Sequence, residues 1–431
     1  MFTILTSPIM MTAGSVAFSV FVASGILGAG HAHPGSPDTD RLYGRVVTVD
    51  GDALEGYLRW DRSASHWADV LEGLKALPLE WEQQAEDLNP DYAALRRAER
   101  SLVAFGVRLT WDVDDSEDAR LVPSGLRFAH VRQLEPVDSR TARVTLTSGA
   151  EIMLRASSTR LGGAIRGIDV DLPGGISRQV TWADLRSVDF FPAPAAAPPP
   201  DARRLVAAVR ARGDEIFTGY VAWDRDEIFE ADILDGRQNG REFPIAFHDI
   251  RRIGRASDRS APVSLRNGGE VEIRGTNDVD RRNRGIEVVD PAFGRVIIPW
   301  DDFESADFDV RPEGSLRPVE GTHTPIRGTV LALDGGSVEG EVRWANDATH
   351  SWEFLRGFDG TRTFEIEFAA IYEIRRVGEE RAAITLLNGR MVELTMVPDR
   401  GAVSRGIFVK PADAAFRLIR WQDFDRLTLR R

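Results

Sequence analysis

The sequence predicts an all-β protein of three tandem repeats, each about 105 residues long and built of two small barrels, the first repeat bearing a helical insertion. Three observations carry that expectation. A Trp-x-Asp-apolar block recurs at Trp182, Trp300 and Trp421. At one fixed interval before each block stands an Arg-Gly-Ile triplet, centred on Gly167, Gly285 and Gly406. Further upstream lies a Gly-x-x-x-Trp landmark that ends at Trp60, Trp223 or Trp344. The upstream and downstream Trp are equally spaced in the second and third copies and about 45 residues further apart in the first, which places the insertion at about residues 74–118.

The elements follow in chain order. No charged side chain precedes Asp38, and Ala13–Gly30 is small and apolar, ending in Gly30-His31-Ala32 with Pro34 beyond. That pattern predicts an export signal over residues 1–32, hence a periplasmic or secreted protein. The run is also long enough to stay as a single membrane anchor, the one membrane contact the sequence predicts. Repeat 1 occupies 41–191. It opens with the β-prone run Arg45–Val49, the turn dipeptide Asp50-Gly51, and an alternating strand from Leu54 to Trp60. The third copy repeats this with Ile326–Leu331, Asp334-Gly335 and Val338–Trp344. In the insertion, Asp91–Phe105 follows Pro90 with a helical pattern. The downstream hairpins turn at Gly149, Asn267-Gly268 and Asn388-Gly389. Each half-repeat of about 50 residues reads as four or five short strands. A Pro/Ala linker, 192–200, leads to repeat 2 at 201–308, and a Pro/Gly/Glu-rich linker, 309–325, leads to repeat 3 at 326–431.

The stretch Val47-Thr-Val-Asp-Gly51-Asp-Ala-Leu54-Glu-Gly56-Tyr-Leu58-Arg-Trp60-Asp61 resembles the first motif of the Sm-like small β-barrels. That motif has a turn Gly, a second Gly on a bent strand, then an apolar residue and Asp. Here the second Gly and the Asp stand one residue closer, and the family's RNA-contacting Asn and Arg-Gly-Asn motif have no counterpart. The resemblance covers about fifteen residues per repeat. It implies an SH3-like or Sm-like barrel shape and carries no binding residue.

Composition narrows the functional classes. Asp and Glu total 67 against 54 Lys and Arg, for a net charge of −13, which disfavours nucleic acid as a partner. The absence of Cys excludes disulfides and thiol chemistry. Lys75 and Lys410 are the only lysines, so Arg supplies the positive charge and favours bidentate carboxylate pairs. The six recurring Trp read as core anchors, and Gly167, Gly285 and Gly406 as bulges or close approaches. The Arg of each triplet is expected to clamp the Asp two residues past the downstream Trp, namely Asp184, Asp302 or Asp423. Trp67 and Trp352, beside His66 and His350, fall in less regular sequence and are the candidates for an exposed ligand or partner contact. Asp112, Asp114, Asp115 and Asp118 offer hard oxygen ligands of the kind Ca²⁺ prefers. An EF-hand loop would need Gly and Glu where Glu117 and Pro123 stand, so the stretch reads as a solvated acidic turn. No catalytic motif and no cofactor signature occurs. The expectation is an exported, non-catalytic scaffold or binding protein whose partner is a protein or an envelope glycan. The alternative is a glycan-binding or glycan-processing protein using exposed Trp and paired carboxylates.

Overall fold

A computed structural model describes residues 40–89, 121–197, 200, 202–290, 294–310, 323–396 and 405–430, and the backbone of 101–104 and 107–110. Short alternating runs between Gly-bearing turns make strands almost throughout. In the first segment, residues 40–191, these are β1 (Tyr43–Thr48), β2 (Ala53–Trp60), β3 (Val70–Ala76), β4 (Ser101–Ala104), β5 (Val107–Thr110), β6 (Leu121–Arg127), β7 (Val131–Pro136), β8 (Thr141–Leu146), β9 (Glu151–Arg155), β10 (Ile168–Leu172), β11 (Ile176–Val180) and β12 (Leu185–Phe190). Between β3 and β4 lies α1 (Leu79–Leu88). The second segment, 202–308, holds β13 (Val206–Ala211), β14 (Ile216–Ala222), β15 (Ile233–Leu234), β16 (Arg237–Gln238), β17 (Arg241–Glu242), β18 (Ile245–Ala246), β19 (Ile250–Gly254), β20 (Ser260–Leu265), β21 (Glu270–Arg274), β22 (Ile286–Asp290), β23 (Gly294–Ile298) and β24 (Phe303–Asp307). The third, 323–430, holds β25 (Arg327–Ala332), β26 (Ser337–Trp344), β27 (Phe354–Asp359), β28 (Arg362–Glu367), β29 (Ile371–Arg376), β30 (Arg381–Leu386), β31 (Met391–Met396), β32 (Ile407–Lys410), β33 (Arg417–Ile419) and β34 (Phe424–Arg430). The all-β class is thus observed.

Strand pairing follows one order in each segment. In the first it runs β11-β10-β2-β1-β12-β7-β8-β9-β3-β6. In the second it is β23-β22-β14-β13-β24-β19-β20-β21-β16-β17. In the third it is β33-β32-β26-β25-β34-β29-β30-β31-β27-β28. The second and third orders are joined where β23 pairs with β28, Gly294 opposite Ile366 through Ile297 opposite Thr363.

Two expectations need correction. The sheets are open, since no pairing joins the two ends of any order among the described residues. The strands also do not group by halves of the sequence. β1 and β2 pair with β12 and β10 from the far end of their segment, and β3 to β9 lie between them in the chain. A chain pattern of alternating residues fixes which face of a strand is buried, not which distant strand it meets. A third correction falls in the insertion. Asp91–Phe105 is expected to be helical, yet Ser101–Ala104 is a strand paired with Val107–Thr110, and residues 91–100 lie outside the described residues. Leu102 and Val103 suit a hairpin at least as well as a helix, which leaves the pattern ambiguous over so short a run. The single helix described, α1, begins after Pro78 with Glu80 and Glu82 in its first turn, where acidic groups suit the helix dipole. No described helix is long and apolar enough to cross a membrane.

The recurring Trp lie in the core. All six are at most 5% exposed. The indole N–H of Trp60, Trp182, Trp223, Trp300 and Trp421 each donates to a backbone carbonyl, of Arg160, Asp138, Asp278, Ser257 and Glu379 respectively. Each bond satisfies a buried indole N–H and ties distant parts of the chain together. Gly167, Gly285 and Gly406 have φ of 118°, 116° and 81°, and a Cβ on any of them would come within 2.8 Å of a side chain across the hairpin. One apolar core runs through the second and third segments, and another fills the first, where Trp352 from the third also packs.

Candidate functional site

The triplet arginines find partners other than those expected. After each upstream Trp the chain makes a two-residue turn with both residues at positive φ: Asp61-Arg62, Asp224-Arg225 and Ala345-Asn346. Such turns fit the right-handed twist of a hairpin, and Asp and Asn tolerate them. Asp61 Oδ1 accepts the backbone N–H of Arg166 at 2.8 Å and its Nε at 3.3 Å. Asp224 Oδ1 accepts the N–H of Arg284 at 2.5 Å, and its Oδ2 takes that guanidinium at 2.9 Å. In the third segment, where Ala345 replaces the Asp, Arg405 pairs with Asp347 at 3.3 Å. The clamp therefore closes on the carboxylate of the turn, and Asp184, Asp302 and Asp423 are not its partners. Spacing alone could not choose between the two Asp at equivalent positions in the first and second segments.

Arg166 and Arg284 also both pair with Asp226, so carboxylates gather where the first segment meets the second. Oxygen atoms of Asp224, Asp226 and Glu227 lie within 4.8 Å of one another. Burial, reinforced by Asp226, Asp278 and Asp224, pushes the Glu227 carboxyl up to about 10. Asp278 is raised to about 7, chiefly by burial, although the N–H of Asp235 opposes the shift. Glu227 Oε2 is buried without a hydrogen-bond partner. Beside the cluster opens a pocket of about 420 Å³ lined by Arg59, Arg62, Asp169, Asp226, Glu227, Asp232 and Ile233. Arg59 forks onto Asp232 at 3.1 and 2.8 Å. Two carboxylates of the trio are already held by arginines, so the arrangement acts first as an ion-paired seam. Its lining contains no Trp.

A second charged group lies deeper and joins all three segments. Arg295, fully buried on β23, reaches Glu72 of β3 at 2.7 Å, Glu287 of β22 at 3.1 Å and Glu365 of β28 at 2.6 Å. Arg225 bonds Glu72 at 2.8 Å, Arg160 bonds Glu287 at 2.9 Å, and Arg356 bonds Glu365 at 3.0 Å. Burial opposes ionisation of Glu287 and Glu365, yet the guanidiniums around them hold both carboxyls below the usual range. These residues were not singled out from the sequence. The signal was a charge flanked by apolar residues, as in Ile-Glu287-Val-Val, Gly-Arg295-Val-Ile-Ile and Phe-Glu365-Ile.

The contact candidates prove to be internal. Trp67 and Trp352 are 7% and 3% exposed, so neither offers an indole face to solvent. His66 is fully buried, bonded to Ser65 Oγ at 2.8 Å and tilted against Tyr220. His350 is half-buried and stacked on Trp352. Both pairs sit where segments touch: Tyr220 belongs to the second segment, and Trp352 enters the core of the first. Irregular sequence here reflects irregular junctions. Asp112, Asp114, Asp115 and Asp118 lie outside the described residues. Compared with known proteins, the chain matches no family model, no curated protein and no solved structure.

Proposed function

We propose that this chain is an exported, non-catalytic scaffold made of three copies of one ten-strand unit, related to small SH3-like barrels, that binds an envelope partner through its assembled surface. One observation carries this reading. A single strand order occurs three times, and the side chains with chemical potential are spent holding the copies together. Recurring Trp donate to carbonyls, triplet Arg close turns, and buried Glu and Arg neutralise one another between copies. Repeat proteins use such arrays to present extended surfaces. The first copy differs by the insertion between Ala76 and Leu121, which face each other at the open end of the β3–β6 pair. In the third copy the matching position is closed by Gly360-Thr361 between Asp359 and Arg362.

That comparison supplies the test. Replacing residues 77–120 by a two-residue Gly-Thr turn closes the hairpin and removes the insertion, together with the contacts that α1 makes to the third segment through Trp81, Gln84 and Ala85. Full-length protein should retain a partner from native envelope extracts that the trimmed protein releases, with equal circular dichroism. Turnover of an envelope glycan or peptide by the purified protein, abolished in Glu227→Gln, would refute the reading and favour the glycan-processing alternative. Tryptophan fluorescence gives a second discriminator. The six recurring indoles should resist aqueous quenchers and ignore oligosaccharides, because all are buried.

A further inference from the structure

Three imidazoles and a carboxylate meet where the first segment contacts the third. His130, 3% exposed, places Nε2 at 2.8 Å from Glu367 Oε1. Arg127, fully buried at the end of β6, lies 3.1 Å from the other oxygen of the same carboxylate. The ring of His323 stands edge-on to that of His130, centroids 5.1 Å apart. His323 Nε2 meets Thr147 Oγ1 at 2.6 Å, while its Nδ1 is buried with no hydrogen-bond partner. His350 lies on the far side, flanked by Glu353 and Lys75, which pair with each other, and by Glu341.

We propose that His323 is the acid-sensitive pin of a latch that closes the first segment on the third: the neutral ring fits, and protonation releases it. A neutral imidazole that engages Thr147 through Nε2 can leave Nδ1 as a bare acceptor at small cost. Adding a proton there buries an N–H⁺ without an acceptor. Glu367 is the nearest carboxylate, but Arg127 and His130 already occupy both of its oxygens. His130 competes for the same proton-stabilising charge, and when it is cationic it repels a second cation on His323. Consistent with this geometry, burial first, then His130 and His350, lower His323 to about 4, with Glu367 opposing. The sign follows from linkage. A histidine held below its unfolded value contributes its full stabilisation above about pH 6.5 and loses it progressively as the pH falls toward its folded value. The inference is independent of what the scaffold binds.

Hydrogen exchange on the full chain, corrected for intrinsic rates, tests it at two reporter amides. Thr147 N–H bonds His130 O, and Ser351 N–H bonds Thr324 O. Between pH 7 and pH 5 protection at both should fall on the order of tenfold, less than a fully buried shift would give because water reaches part of the ring. Amides of the β1–β12 pair serve as the unchanged reference. His323→Gln keeps a donor for Thr147 and removes the titration of that ring, so the response should shrink most at Thr147, while Ser351 keeps the part due to its neighbour His350, which burial also holds below its usual value. An equal acid response in His323→Gln, or none in the unaltered protein, would overturn the latch. Should that variant not fold, an NMR titration of the unaltered protein decides: a His323 ring titrating at or above 6.5 overturns the proposal, and one well below it supports it.

Discussion

The junction between the second and third segments and the junction between the first and second solve one problem with different means. At the former, β23 pairs directly with β28, and Gly294 is the residue that permits it. Its φ is 142°, and a Cβ there would lie 2.1 Å from the carbonyl oxygen of Glu365. At the latter, the corresponding strands are β11, with Ile176 in place of that Gly, and β17, followed by Phe243-Pro244 where the third segment has Phe364-Glu365. Pro has no N–H to give, and the Ile side chain blocks close approach. No β11–β17 pairing forms among the described residues. Elsewhere at this junction lie an open, charged pocket and a crowd of carboxylates. The buried ionic core reaches all three segments, and the junction without continuous strand pairing adds an open, charged seam whose strength depends on protonation.

The contrast can be broken most severely at its dry side. Arg295→Met leaves Glu72, Glu287 and Glu365 facing one another without their shared cation, and urea unfolding should show a loss of about 3–5 kcal/mol. Gly294→Ala should cost about 3 kcal/mol from the strained backbone and the clash together. Its signature is faster exchange at the Thr363 and Glu365 amides, whose backbone groups face β23. The wet side is sharpened by pH. Glu227 and Asp278 bind protons more tightly folded than unfolded, so their contribution is complete below about pH 4 and declines as the pH rises through 7. Glu227→Gln should therefore gain on the order of 1–2 kcal/mol relative to the unaltered chain between pH 4.5 and 8, with a flatter stability profile. Arg59→Met, which removes the guanidinium from Asp232 but leaves the Ile228 and Phe229 N–H groups bonded to it, should cost only about 1 kcal/mol. The smallest effect is expected at the free hairpin: Gly175→Ala meets no neighbour, and only its φ of 78° opposes it, for roughly 1 kcal/mol or less.

Parts of this were legible before any coordinates. Turn dipeptides such as Asp50-Gly51 and Asn388-Gly389 have positive-φ glycines in hairpins, and Trp60 or Trp344 announce core by their place at the end of alternating runs. Local chemistry decides such features, and local chemistry is what a sequence displays. The pairing of β2 with β10 is a long-range choice that alternation leaves free. Partner selection by Arg166 or Arg284 was equally hidden, since each triplet has two Asp at fixed spacing and only the fold brings one within reach. His66 and Trp352, read as candidates for an exposed contact, instead lie buried where segments touch, which a sequence does not display.

The interleaving of the strands also constrains how the polypeptide matures. β1 is completed by β12, β13 by β24 and β25 by β34, the last strand of each segment. A chain emerging from a ribosome or a translocation channel therefore cannot finish any segment until that segment's final strand is released, and non-local pairing of this kind is slow. Loss of residues 424–430 would leave both β25 and β29 with bare edges, since each pairs with β34. Premature termination anywhere in a segment thus yields a product with open edges rather than a shorter working one, and proteases that survey the compartment would meet those edges first.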